Sequence, residues 1–288
     1  MNYRVIAFAI LCLGISVAFG EGPYYDYFDS KGHYYVVLNK DTIYDNLIDY
    51  SKCYESYLTS SSIDCEDCTD KFAKGELTFD SLFFASYSTF NDVPYQCPAR
   101  GIIGKDYRRL DMYFYPELER VDSMTFALSG RSRVKENVCD FKGTVRIKKI
   151  EKWRYDEFDV DFYSVLAQYR FEEDVNQSGS GIFEGVFEAD AYNENGVLQI
   201  NTMFEDADGY ANRNFVGTWR SHSTPAILKK CIWGDYRLPF VFDFDCGDGE
   251  FRVDDKYLSP EWESYHSQDE IFYPLSDEER PYYKNPWW

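Results

Sequence analysis

The chain has 288 residues, 30 basic against 50 acidic side chains, a formal charge of -20 and 19% aromatic residues. So acidic a surface is repelled by nucleic acid and by anionic membranes, which excludes both as partners. The abundance of Tyr and Phe means that core formation is not limited by a shortage of large side chains, and the length suits one large β domain or two smaller ones.

Met1-Asn2-Tyr3-Arg4 places one basic residue ahead of an apolar run from Val5 to Ala18, and Ala18-Phe19-Gly20 offers small residues at both cleavage positions. This predicts a secretory signal peptide over residues 1–20. The run is about fourteen residues, short of the roughly twenty needed to span a bilayer, and no later segment is longer. The expectation is therefore an exported protein, periplasmic, outer-surface or extracellular, with no membrane-spanning segment after cleavage. Cys12 is a poor lipidation site because Leu11 stands where a small residue belongs. Cleavage would remove one Arg and no acid, taking the charge from -20 to -21.

Residues 21–117 read as a mixed α/β segment. Thr42-Ile43-Tyr44-Asp45 fits a capping pattern, and Ile43, Leu47, Tyr50, Tyr54, Tyr57 and Leu58 recur at helical spacing. A helix from Thr42 to about Thr59 is predicted, with Cys53 near its apolar face. Ser60 to Cys68 reads as irregular. From about Leu118 the period becomes two. Phe141, Gly143, Val145 and Ile147 alternate with polar residues; Val165, Ala167, Tyr169 and Phe171 do the same, as do Phe183, Gly185, Phe187 and Ala189. Asn195-Gly196 marks a hairpin, with Leu198, Ile200, Thr202 and Phe204 returning. Phe215, Gly217 and Trp219 then share one face. Strands joined by short turns predict an antiparallel meander over 118–265, closed as a barrel or folded as a sandwich to protect its edges. Residues 266–288 form an aromatic-rich tail.

Five phrases taken in order, "NVCDFKGTV" at 137–145, "GSGIFEGVF" at 179–187, "NRNFVGTWRS" at 212–221, "KKCIWGDYRLP" at 229–239 and "GDGEFRVDDKYL" at 247–258, resemble a group of uncharacterised exported proteins of gut Gram-negative bacteria over residues of about 120–265. The resemblance implies a bacterial exported β domain and carries no activity. Lipocalin and avidin barrels also bear a Gly-x-Trp, near their first strand; here Gly217-Thr218-Trp219 comes late. Trp219 is the one ligand-contact candidate, against the plainer reading of a large buried ring.

Seven cysteines follow Cys12, an odd number. In an exported protein disulfides are the default, so Cys53, Cys65, Cys68, Cys97, Cys139 and Cys231 are candidates, with Cys139–Cys231 the favoured pair. Cys65-Glu66-Asp67-Cys68 has redox or metal spacing but an acidic filling that would not lower a thiol pKa. A Cys231–His222 dyad is disfavoured because no oxyanion-forming glycine turn adjoins the cysteine. The acidic runs at Asp243, Asp245, Asp248 and Glu250, and at Glu205, Asp206 and Asp208, lack the EF-hand order. His33, His222 and His266 form no metal pattern. No catalytic set, metal site or cofactor is expected. The leading expectation is a non-enzymatic binding or structural module of the cell envelope, with carbohydrate as the ligand class aromatic platforms suit best. The alternatives are a secreted hydrolase with unrecognised carboxylates and a lipocalin-like carrier of a small apolar ligand.

Overall fold

The computed structural model describes residues 26–28, 34–38, 41–44, 65–79, 83, 87–90, 93–96, 98–154, 160–204, 210–247, 251–262 and 287. The signal-peptide region, Cys53, Cys97, His33 and His266 lie outside them.

Three short strands, β1 (Asp26–Phe28), β2 (Tyr34–Leu38) and β3 (Asp41–Tyr44), form a small antiparallel sheet. Thr42 to Tyr44 are thus extended and paired with Tyr35 to Val37, where a helix start was expected. The β-branched residues Val36, Val37, Thr42 and Ile43 suit the pleated, cross-strand arrangement. The rest of the expected helix lies outside the described residues. Next come β4 (Glu66–Asp67), the short helix α1 (Thr69–Ala73), β5 (Tyr87–Phe90) and β6 (Val93–Gln96).

The body of the molecule is a closed antiparallel barrel of eight strands in chain order. These are β7 (Ala99–Ile103), β8 (Arg108–Phe114), β10 (Thr125–Val134), β11 (Asn137–Arg154), β12 (Asp161–Glu173), β13 (Gly181–Glu194), β15 (Ala211–Ser221) and β16 (Leu228–Tyr236). Short β9 (Glu119–Arg120) and β14 (Val197–Ile200) add to β10 and β13. Closure comes from β16 against β7, with Cys231 opposite Ile103 and Trp233 opposite Gly101. Two barrel strands therefore precede residue 118, and the boundary expected there does not separate barrel from non-barrel. The reason is that a meander of six strands leaves two open edges, and β7–β8 is the hairpin that covers both. Asn195 and Gly196 sit at φ 54° and 88°, the two left-handed positions of a type I′ turn, between β13 and β14. The return strand ends at Ile200, so Thr202 and Phe204 are not part of it.

Alternation along each strand sends every second side chain inward. Eight strands enclose a space that side chains can fill, and here aromatic rings fill it. Phe215 stacks on Trp233 at 4.8 Å between centroids, Phe187 meets Phe215 at 4.6 Å, and Tyr169 meets Trp233 edge-on at 5.1 Å. Phe114, Phe141 and Phe171 continue the cluster at 5.2–5.5 Å. One mouth is closed by α1 and the chain after it. Phe72 stacks on Phe79 at 5.0 Å, Phe79 lies 4.8 Å from Phe126, and Phe83 lies 5.1 Å from Phe187.

The outer face carries a second core. Ile102, Leu166, Val186, Val216 and Ile232 point outward on five strands and are buried under Leu238, Phe240, Val241, Phe244, Phe251, Val253 and Trp262. Residues 237–247 and 251–262 thus form a strap across the barrel wall. A two-turn framework supports it: short 3₁₀ turns at Phe242–Phe244 and Asp255–Tyr257, and Cys246 N donating to Arg252 O at 2.8 Å. No described helix is long and apolar enough to cross a membrane.

Candidate functional site at the open rim

The mouth opposite α1 is built from the β12–β13 turn, the β10–β11 turn and the β15–β16 loop. Inward parity runs along β12 through Val165, Ala167, Tyr169 and Phe171, and the next inward residue is Glu173. The residue is 4% exposed, and both oxygens of its carboxylate are partnered. Oε1 accepts from the Ser132 hydroxyl; Oε2 accepts from Gly181 N at 2.7 Å and from Trp219 Nε1 at 3.0 Å. Three donors on three strands converge on one acid of a fourth, so the cluster clasps β10, β12, β13 and β15 together. Burial pushes the Glu173 pKa up; the hydrogen bonds and nearby His222 only partly oppose this. His222 hydrogen-bonds the Glu173 carbonyl through Nε2 at 3.2 Å.

Trp219 is buried, as a large inward ring should be. Its indole N–H is spent on Glu173, and the Lys229 ammonium lies 5.0 Å from its ring centroid. A Cβ on Gly181 would come 2.5 Å from the indole, so glycine is needed there for the ring to seat. Gly217 has a related task. It faces Gly185 across the β13–β15 pair, and a Cβ at either would fall within 2.9 Å of the Tyr169 hydroxyl. The Phe-x-Gly-x-Trp pattern therefore makes room for a neighbouring tyrosine that crosses the barrel toward Cys231.

Among the described residues no disulfide is formed, which corrects the favoured Cys139–Cys231 pairing, and the candidates Cys65 and Cys68 are not bridged to each other. Cys139 lies on β11 and Cys231 on β16, and three strands separate them in either direction around the barrel. They occupy opposite walls, beyond the roughly 7 Å Cα limit for a bridge. Cys139 sits at the rim, where Asn137 Nδ2 contacts its sulfur at 3.3 Å; burial, then the Glu173 charge, pushes its thiol up to about 11. Cys231 is buried in mid-barrel beside Tyr169, and desolvation pushes both groups well up. Cys68 is turned into the core while Glu66 and Asp67 pair with β11. His222 and Cys231 form no dyad. Cys231 is opposite Gly217, five residues from His222, roughly 16 Å along an extended strand.

The acidic loop before residue 250 also resolves into local partners. Asp245 accepts from Arg237 Nε at 2.6 Å and from the backbone N–H groups of Gly247 and Arg252. Asp243 pairs with Lys256 and accepts from the Tyr257 hydroxyl. These carboxylates are turned toward basic and N–H or O–H donors. Asp248, Glu250, Glu205, Asp206 and Asp208 lie outside the described residues.

Sequence reasoning missed Glu173 and its clasp, although the strand's own parity marked the position. A carboxylate on the inward face of an otherwise apolar strand is the signal, since such a group must find donors or remain protonated. Compared with family models, with curated proteins and with solved structures, the chain gives no match.

Proposed function

We propose that the protein is an exported, non-enzymatic binding or structural module whose working surface is the outside of the barrel. The observation that carries this reading is the occupancy of the interior: Tyr169, Phe171, Phe187, Phe215 and Trp233 touch one another where a carrier would hold its ligand. This weighs against the apolar-ligand carrier. Four acids with little exposed side chain, Asp111, Glu173, Asp235 and Asp245, each face arginine or neutral donors, which favours a structural role for these four over hydrolysis. Export rests on the signal-like first twenty residues and on the resemblance in residues of about 120–265.

Carbohydrate remains the ligand class best suited to the surface. Tyr113 meets Tyr115 edge-on at 5.8 Å, and Tyr236, 41% exposed, meets Tyr210 at 4.9 Å. Such pairs offer flat apolar faces with polar edges to a sugar ring. The test is the thermal midpoint of the mature protein against soluble glycans, fatty acids and Ca²⁺, because a ligand of the folded state raises stability as RT ln(1 + [L]/Kd). A shift of several degrees with glycans alone supports the reading, and calorimetry then fixes the ligand. A shift with fatty acids alone would return the carrier hypothesis. No shift with any of them removes sugar and leaves a protein-partner or structural role.

A further inference from the structure

Three arginines and two aspartates on the outer wall form an arrangement that already holds a ligand-like group. Asp111, 3% exposed, points outward from β8. Its Oδ1 accepts from Arg109 Nε at 2.8 Å, and its Oδ2 accepts from Arg133 Nε at 3.1 Å and Nη2 at 2.6 Å. The two guanidiniums so fixed each lie near a tryptophan of the C-terminal chain. Arg109 is 5.9 Å from the Trp262 ring centroid, and Arg133 is 4.9 Å from that of Trp287. Two residues before Arg133 on the same face of β10, Arg131 donates from Nη1 to the Trp287 carbonyl at 3.0 Å while Asp140 holds its Nε at 2.8 Å. The Trp287 residue is thus read twice, by a cation near its ring and by a hydrogen bond to its backbone. The carboxylates orient both arginines beforehand, which lowers the ordering cost of binding.

We infer that the outer face of β10 is a recognition site for a peptide tryptophan, filled in cis by the chain's own Trp287. The recognising chemistry is a guanidinium near an indole together with a donor to the adjacent carbonyl. Within a chain of charge -20, the three arginines and two aspartates of this cluster leave one positive charge in excess. The site deepens the outer-wall reading above and rests on it.

The experiment uses the full chain, its Trp287→Ala variant and a dye-labelled peptide matching residues 281–288, with binding read by fluorescence anisotropy. An intramolecular occupant competes at an effective concentration up to about millimolar. The peptide should therefore bind the Trp287→Ala chain at least tenfold more tightly than the unaltered chain. Adding Arg133→Ala to that variant should weaken binding at least tenfold. Adding the more exposed Arg131→Ala instead, which leaves the Asp111 pairs in place, should weaken it about threefold; thermal unfolding of each variant confirms that it folds. Equal binding to the unaltered and Trp287→Ala chains, no binding to either, or indifference to both arginine substitutions overturns the site. Peptide binding and the glycan panel report on different ligands, so either reading can fail alone.

Discussion

The inside of this barrel wall and the part of its outside that the C-terminal segment covers are both buried, but by different chemistry. Inside, the rows are rings against rings, with Tyr169, Trp219 and Glu173 as the polar exceptions. Outside, apolar Leu166, Val186, Val216 and Ile232 are covered by a C-terminal segment that carries its own buried ion pair, Arg237–Asp245. The difference lies in how each side holds charge: the covering segment brings a full ion pair into its own fold, whereas the interior sets Glu173 among neutral donors at its rim. Both charges are met locally, Asp245 by Arg237 and Glu173 by neutral donors, and each carries a desolvation cost.

Interior packing should give the largest single effect. Trp233→Ala removes the ring that stacks on Phe215 and is expected to cost about 3–5 kcal/mol in urea unfolding, through lost transfer energy and a cavity. A cost near 1 kcal/mol would mean that the rings repack freely and the two faces are less different than they look.

On the outer wall, Arg237→Met leaves Asp245 buried with backbone donors alone and should cost about 3 kcal/mol, whereas Arg237→Met with Asp245→Leu should recover most of it. Equal losses in the single and double variants would show that the arginine's packing, not its charge, holds the strap. Gly217→Ala comes next, at about 1–3 kcal/mol, because the new methyl meets the Glu184 carbonyl and lies 2.6 Å from the Tyr169 hydroxyl. Adding Tyr169→Phe should return only part of that loss, the backbone clash remaining.

The rim acid sets a pH test. Burial raises the folded-state pKa of Glu173 above its unfolded value, so the folded chain holds that proton longer. Its favourable contribution is complete below the unfolded pKa and is lost as pH rises through the folded one. Asp245, raised for the same reason, acts in the same direction, while Asp67, Asp122 and Asp140 are lowered by hydrogen bonds and act oppositely. Subtracting the stability profile of Glu173→Gln from that of the unaltered protein between pH 4 and 7 isolates the rim; the difference should fall as pH rises. A flat difference would mean that the hydrogen bonds fully offset burial. The smallest effect concerns thiols. In the native state iodoacetamide should modify exposed Cys246 well before Cys139 or Cys231, and denaturant should abolish that order.

Much of the barrel was legible along the chain. The period-two runs at 141–147, 165–171 and 183–189 and the Asn195-Gly196 turn are local features, and each formed where local backbone preference and alternation placed it. The burial of Trp219 followed from the same parity. Apolar Leu166, Val186 and Val216 at outward positions were visible breaks in alternation that could have revealed the strap.

Closure by β7 and β8 had no such local signal. Pairing of Ile103 with Cys231 joins residues far apart in sequence, and which edges meet depends on the tilt and stagger of the whole sheet. The same geometry put Cys139 and Cys231 on opposite walls and brought Ser132, Gly181 and Trp219 onto Glu173. Alternation along a strand establishes which side chains share a face. Only the closed tertiary structure decides what that face touches, because strand neighbours are chosen by long-range burial and hydrogen bonding that no short stretch of chain contains.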